Sequence, residues 1–340
     1  MSGPALSRGR PAADPAPRPA TGIRQPAVLV PLWWLLGALC LVEALHEVTG
    51  LGDPDSVLGL GLEAFLLVAA TVICLGRAFY ESRGRAPWIW IGSGLACWAV
   101  GTLVWDIVYS GDASPPYPSI ADAFWLAWYP ITVIGLVLLV RERVRRFELH
   151  RWMDGVAVVL VVMTPAVALI VQPVAARSPD SGLATIVDFA YPILDVLLVG
   201  GLLGVCGLLG WRPGRIWTLL VLGCGLIALA DGVFSVQQAR GFLLDGDYDF
   251  LWSIGALLIA AAAWSARPED GAFDEVYGWR AIVLPVTAQV CAGGIQVYAL
   301  FHEIGSSERL VTLIVLIVAT VQIVISRPRD PGSARPPGPG

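Results

Sequence analysis

The chain has 340 residues, 56% of them hydrophobic and 14% charged, with a formal net charge of −5 and a mean hydropathy of +0.70. Soluble domains carry about 25% charged residues, so an ordinary soluble globular protein is excluded and a membrane protein is indicated. All 22 basic residues are arginine, which reads as a compositional bias and not as a functional signal.

Residues 1–25 are rich in Pro, Ala and Arg (Arg8, Arg10, Arg18, Arg24). They predict a disordered basic tail and no cleavable signal peptide. Ten apolar runs follow, at 27–46, 56–76, 88–109, 120–140, 153–173, 184–209, 216–236, 248–266, 280–302 and 308–326. Each is long enough, or nearly so, for a hydrocarbon layer of about 30 Å at about 1.5 Å per residue. The expected fold is therefore all-α: a polytopic membrane helix bundle of about ten helices over residues 26–327, followed by a disordered tail at 328–340.

The arginines orient the bundle. With the N-terminus in the cytoplasm, the inner segments hold every arginine except Arg177, Arg240 and Arg309. This imbalance follows the positive-inside rule. It predicts a multi-pass protein of the plasma membrane with both termini cytoplasmic. Most tryptophans fall at span ends, as interfacial residues do; Trp98 and Trp128 lie deeper. Two pairs of segments hint at a repeated helical hairpin: 92–101 resembles 223–232, and 127–131 resembles 189–193. Pro130, Pro165, Pro192 and Pro285 fall inside spans, where proline tends to kink a helix.

The acidic residues are the most informative. Glu43, Glu63, Asp106, Asp122, Asp188, Asp231 and Asp249 all lie toward the outer ends of their spans, and Asp195 lies near mid-span. A carboxylate at a helix centre costs about 2.5–3.5 kcal/mol on insertion scales. Asp122, Asp188 and Asp249 stand near helix starts, where capping is an alternative role. The stretch Pro116–Pro130, P-Y-P-S-I-A-D-A-F-W-L-A-W-Y-P, joins a proline-rich turn to an apolar helix. With Trp105 and Asp106 it predicts an outward-facing acidic and aromatic pocket. The candidate ligand-binding residues are Trp105, Asp106, Asp122, Trp125, Trp128, Tyr129, Asp188, Tyr191, Asp195 and Asp231. Such a lining suits a small cationic or amphipathic ligand.

Other chemistry finds little footing. The six cysteines lie in apolar runs without C-x-x-C spacing and read as small buried hydrophobes. Glu43-x-x-His46 puts two ligand types on one helix face, but a carboxylate-bridged metal site needs a second such motif. No metal or cofactor is expected. No phosphate loop, zinc-protease motif or nucleophile elbow is present, so an enzyme is not expected. The basic run at 141–151 reads as a topology determinant, and nothing points to nucleic acid.

The segments Y-P-S-I-A-D-A-F-W-L-A-W-Y-P (117–130), W-M-D-G (152–155) and D-F-A-Y-P-I-L-D (188–195) resemble the N-terminal multi-pass membrane region of actinobacterial GGDEF/EAL cyclic-di-GMP signalling proteins. The resemblance spans roughly residues 30–265. It implies a sensor region that passes a signal to the cytoplasm. The chain ends at Gly340, soon after the last span, so the expectation is a sensor module without a catalytic output domain of its own. Three forms stay open: a freestanding relative, a module acting through a cytoplasmic signalling partner, or a piece of a longer protein. The alternative is a small-molecule transporter, which the suggested repeats and the proline-interrupted spans also suit.

Overall fold

In lipid every backbone N–H and C=O must be satisfied within the chain, which favours helices. The computed structural model describes residues 26–50, 60–82, 84–110, 112, 114–143, 182–209, 213–240 and 248–265. Seven helices fall in these residues, and no strand does. They are α1 (Leu29–Thr49), α2 (Leu60–Tyr80), α3 (Arg85–Val108), α4 (Ile120–Arg143), α5 (Gly182–Leu208), α6 (Gly214–Arg240) and α7 (Phe250–Ala263). They correspond to seven of the ten predicted spans. The spans at 153–173, 280–302 and 308–326 lie outside the described residues, as do both terminal tails.

Helices α1 to α6 are long and apolar enough to cross a membrane, whereas α7 is a shorter apolar helix of 14 residues. Large apolar side chains cover the outside, among them Trp34, Phe79 and Ile107, each about four-fifths exposed. A surface of this kind suits hydrocarbon and not water. The described architecture is that of an α-helical membrane bundle.

Consecutive helices from α2 to α7 pack on one another, and α7 returns to α2, so these six close into a ring. The Trp264 indole N–H, just beyond α7, seals the closure by donating to the Ile73 carbonyl of α2 at 2.9 Å. Helix α1 stands outside the ring, touching α2 and α7. Its buried stripe is Leu29, Leu36, Cys40 and Glu43, positions that share one helix face. Glycine sets the tightest contacts. A Cβ at Gly223 of α6 would lie 2.7 Å from the Gly255 carbonyl oxygen of α7, and one at Gly255 would lie 2.8 Å from that of Gly223. On the opposite hairpin, a Cβ at Gly101 of α3 would strike the Trp125 ring of α4 at 2.6 Å. The two glycine-bearing segments that resemble each other in sequence thus each pack against the helix that follows. Small residues permit this approach because packing drives helix association in lipid.

A larger side chain at these crossings forces the backbones apart. Gly255→Leu is expected to destabilise the bundle by about 1–3 kcal/mol through overpacking. Thermal unfolding of the detergent-solubilised protein measures this, with Gly37→Leu, at a position with open space around it, as the control that leaves stability unchanged.

Candidate functional site

Six of the predicted site residues meet along one seam between α4, α5 and α6. Helix periodicity brings them there. On α5, Asp188, Tyr191 and Asp195 are spaced i, i+3, i+7; on α4, Asp122 and Tyr129 are spaced i, i+7. Both sets fall on a single face. Helices α4 and α5 touch over a short stretch only, and side chains bridge them.

Three tyrosine–aspartate links form the bridge. The Tyr117 hydroxyl, in the turn before α4, donates to Asp188 Oδ1. Burial, reinforced by the Asp188 carboxyl, pushes the Tyr117 phenol up from its ordinary value, so it keeps its proton. One turn deeper, the Tyr191 hydroxyl of α5 donates to Asp122 Oδ1 of α4 at 2.9 Å. Deeper still, the Tyr129 hydroxyl lies 2.8 Å from Asp195 Oδ1 and 3.1 Å from Asp231 Oδ2 of α6. The Trp252 indole N–H of α7 donates to Asp231 Oδ1 at 2.8 Å. The first two rungs run in opposite directions: α5 accepts from the α4 side, then donates to it.

Asp122 has a second task. Its Oδ2 accepts from the Ser119 backbone N–H at 2.7 Å and the Ser119 hydroxyl at 2.9 Å. This satisfies an N–H at the start of α4 in the manner of a capping box. The capping role and the inter-helix role are therefore both filled, by different oxygens of one carboxyl. Asp188 is six residues inside α5 and is no cap. Asp249 stands at the N-cap of α7 but makes no side-chain capping bond.

The predicted aromatics belong to the α3–α4 contact. Trp125 donates to Thr102 Oγ1 at 3.4 Å and packs on Trp105, with ring centroids 5.9 Å apart. Trp128 packs between Trp98 at 5.5 Å and Tyr129 at 4.7 Å. It is buried, and its indole N–H has no acceptor among the described residues. Tyr129 and Tyr191 lie edge to face at 6.5 Å, so the Tyr-Pro pairs of α4 and α5 face one another.

Asp106 is separated from this seam. It lies within electrostatic range of Glu63 on α2, together with Glu43, Glu47 and Asp249. These form a second acidic group at the same end of the bundle. There the Ser253 hydroxyl donates to the buried Glu43 at 2.8 Å, and the Phe250 backbone N–H donates to Glu47 Oε2 at 3.1 Å. Sequence reasoning placed Ser119, Ser253 and Trp252 in no site. Ser119 had a legible signal, the S-x-x-D spacing before an apolar run; Ser253 and Trp252 had none.

Among the described residues, no group of three or more His, Cys, Asp or Glu side chains is placed to hold a metal ion. A cleft of about 420 Å³ between α1 and α7, lined by Trp33, Gly37, Cys40, Leu41, Ile254 and Leu257, is apolar and includes none of the acids. Fold and site together define a multi-helix membrane protein with a polar seam at one end. No known family, curated protein or solved structure matches the chain.

Inter-helix hydrogen bonds in membrane proteins average about 0.6 kcal/mol and reach about 1.7 kcal/mol. A carboxylate acceptor puts the Tyr191–Asp122 link at the upper end. A double-mutant cycle with Tyr191→Phe and Asp122→Asn, read by thermal or denaturant unfolding, is expected to give a coupling of about 1–2 kcal/mol. Tyr80→Phe in the same cycle should give none.

Proposed function

We propose that the protein is a non-enzymatic sensor or signalling module of the plasma membrane, with ten spans and both termini in the cytoplasm. The acidic and aromatic end then faces outward. One observation carries this reading. Most of the acids within the described helices gather at the end holding residues 109–119, while Arg77, Arg85, Arg141, Arg143 and Arg215 lie at the other end. Arginine prefers the cytoplasmic side, and an acid-rich outer end attracts cations.

The signal is a small cationic or amphipathic ligand that enters the seam between α4 and α5. It replaces tyrosine hydroxyls as partner of Asp122 and Asp188 and stacks on neighbouring aromatics. The two helices share little backbone contact, so exchanging their side-chain links shifts one against the other. A cytoplasmic signalling partner reads that shift, in keeping with the resemblance to the membrane regions of GGDEF/EAL proteins.

The test is a thermal-shift screen of organic cations and amphipathic amines on the purified protein, repeated on Asp122→Asn. The expected result is a ligand that raises the melting temperature of the wild type and loses at least tenfold in affinity on the variant, which corresponds to about 1.4 kcal/mol. Binding that is indifferent to Asp122→Asn and Asp188→Asn sinks the pocket. Substrate flux in proteoliposomes sinks the sensor reading in favour of a transporter.

A further inference from the structure

The deepest rung has more acceptors than hydrogens. Two carboxyls and one phenol meet there, and among the described residues the donors that reach them are the Tyr129 hydroxyl and the Trp252 N–H. A phenol carries one hydrogen and can also accept. It satisfies one of its two carboxyl contacts, at 2.8 and 3.1 Å, and the other then sets two lone pairs against each other. The carboxyls of Asp195 and Asp231 lie close together, since both reach the same phenol oxygen. Asp195 is 4% exposed, and its Oδ2 is buried with no donor among the described residues. No arginine or histidine among the described residues reaches either carboxyl. One additional hydrogen resolves the clash at the phenol. Placed on Asp195 Oδ1 it donates to the phenol oxygen, which then gives its own hydrogen to Asp231 Oδ2.

We propose that Asp195 and Asp231, bridged by Tyr129, form a binding site for one exchangeable proton whose release loosens α4, α5 and α6 from one another. This goes beyond the sensor reading and holds equally for a transporter, because it rests on the hydrogen count of the cluster. The bound state carries one negative charge on the pair. Release moves a proton from a carboxyl oxygen to water, breaks no bond between heavy atoms and leaves two negative charges side by side. Two carboxylates at such a distance repel, most strongly when little water screens them. The groups facing the pair are Tyr129 from α4, Tyr191 from α5 with its partner Asp122, Cys224 from α6, and the non-titrating Trp252 from α7. None supplies a positive charge.

Infrared difference spectroscopy on the full chain in lipid nanodiscs, titrated from neutral to alkaline pH, reads the proton directly. The difference between wild type and Asp195→Asn is expected to contain a protonated-carboxyl band, shifted by deuterium exchange, that disappears as pH rises. Tyr129→Phe, which keeps both acids, should move the midpoint by about one pH unit, a tenfold change in proton affinity. Where Asp195→Asn does not fold, the wild-type and Tyr129→Phe titrations carry the same comparison. The absence of any such band at neutral pH overturns the proposal, as does a band whose midpoint ignores Tyr129→Phe. A melting temperature that rises with sodium at constant ionic strength, with no protonated-carboxyl band, also overturns it and assigns a metal cation instead.

Discussion

The constraint on which this bundle depends is that aspartates on lipid-embedded helices must find hydrogen on a neighbouring helix. No water in a hydrocarbon layer makes up for a missing partner, and an unsatisfied polar group there costs several kcal/mol. The chain answers with tyrosine. A phenol delivers its hydrogen some distance from the backbone and brings a ring that packs among apolar side chains. Asp122 and Asp188 each receive such a hydrogen from across the α4–α5 boundary, and Asp195 shares the third phenol with Asp231. The alternation of donor and acceptor fixes register: sliding either helix by one turn would set aspartate against aspartate.

The two kinds of contact in the ring divide the work. Glycine-mediated crossings between α3 and α4 and between α6 and α7 bring backbones together through close packing. They make two stiff hairpins. The α4–α5 boundary has little such packing and is held by hydrogen bonds, which exchange readily for other donors. Around the ring, the seam is thus the boundary with the least backbone packing.

Much of this was legible in the sequence. Unbroken apolar length marks α1 to α6, and the acid and aromatic residues at one end were recognisable as a set. The pairing was not. Consecutive residues on a helix point about 100° apart, since one turn takes about 3.6 residues. Trp105 therefore turns to α4 while its neighbour Asp106 turns toward Glu63 of α2, and no linear pattern says which goes where. Trp252 looked like an interfacial anchor, and its bond to Asp231 depends on the α6–α7 crossing that the glycines create. Proximity along the chain suggested one pocket for the hairpin of α3 and α4. The third dimension splits its residues between the α4–α5–α6 seam, the α3–α4 contact and a second acidic group.

The bond from the Phe250 backbone to Glu47 ties α7 to a residue 203 positions earlier. Helix α7 has 14 residues, about 21 Å at about 1.5 Å each, short of a hydrocarbon layer of about 30 Å. Its Leu251 and Trp252 N–H groups turn back to the Tyr248 and Asp249 carbonyls, and the Phe250 N–H takes a carboxylate from elsewhere. The peripheral helix α1 provides it, and the Asp249 side chain does not. In a chain that enters the bilayer from its N-terminus, α1 is in place long before α7 is made. The outermost helix thus acts as a waiting dock, and the Phe250 N–H gains its carboxylate when the last described helix arrives beside the first.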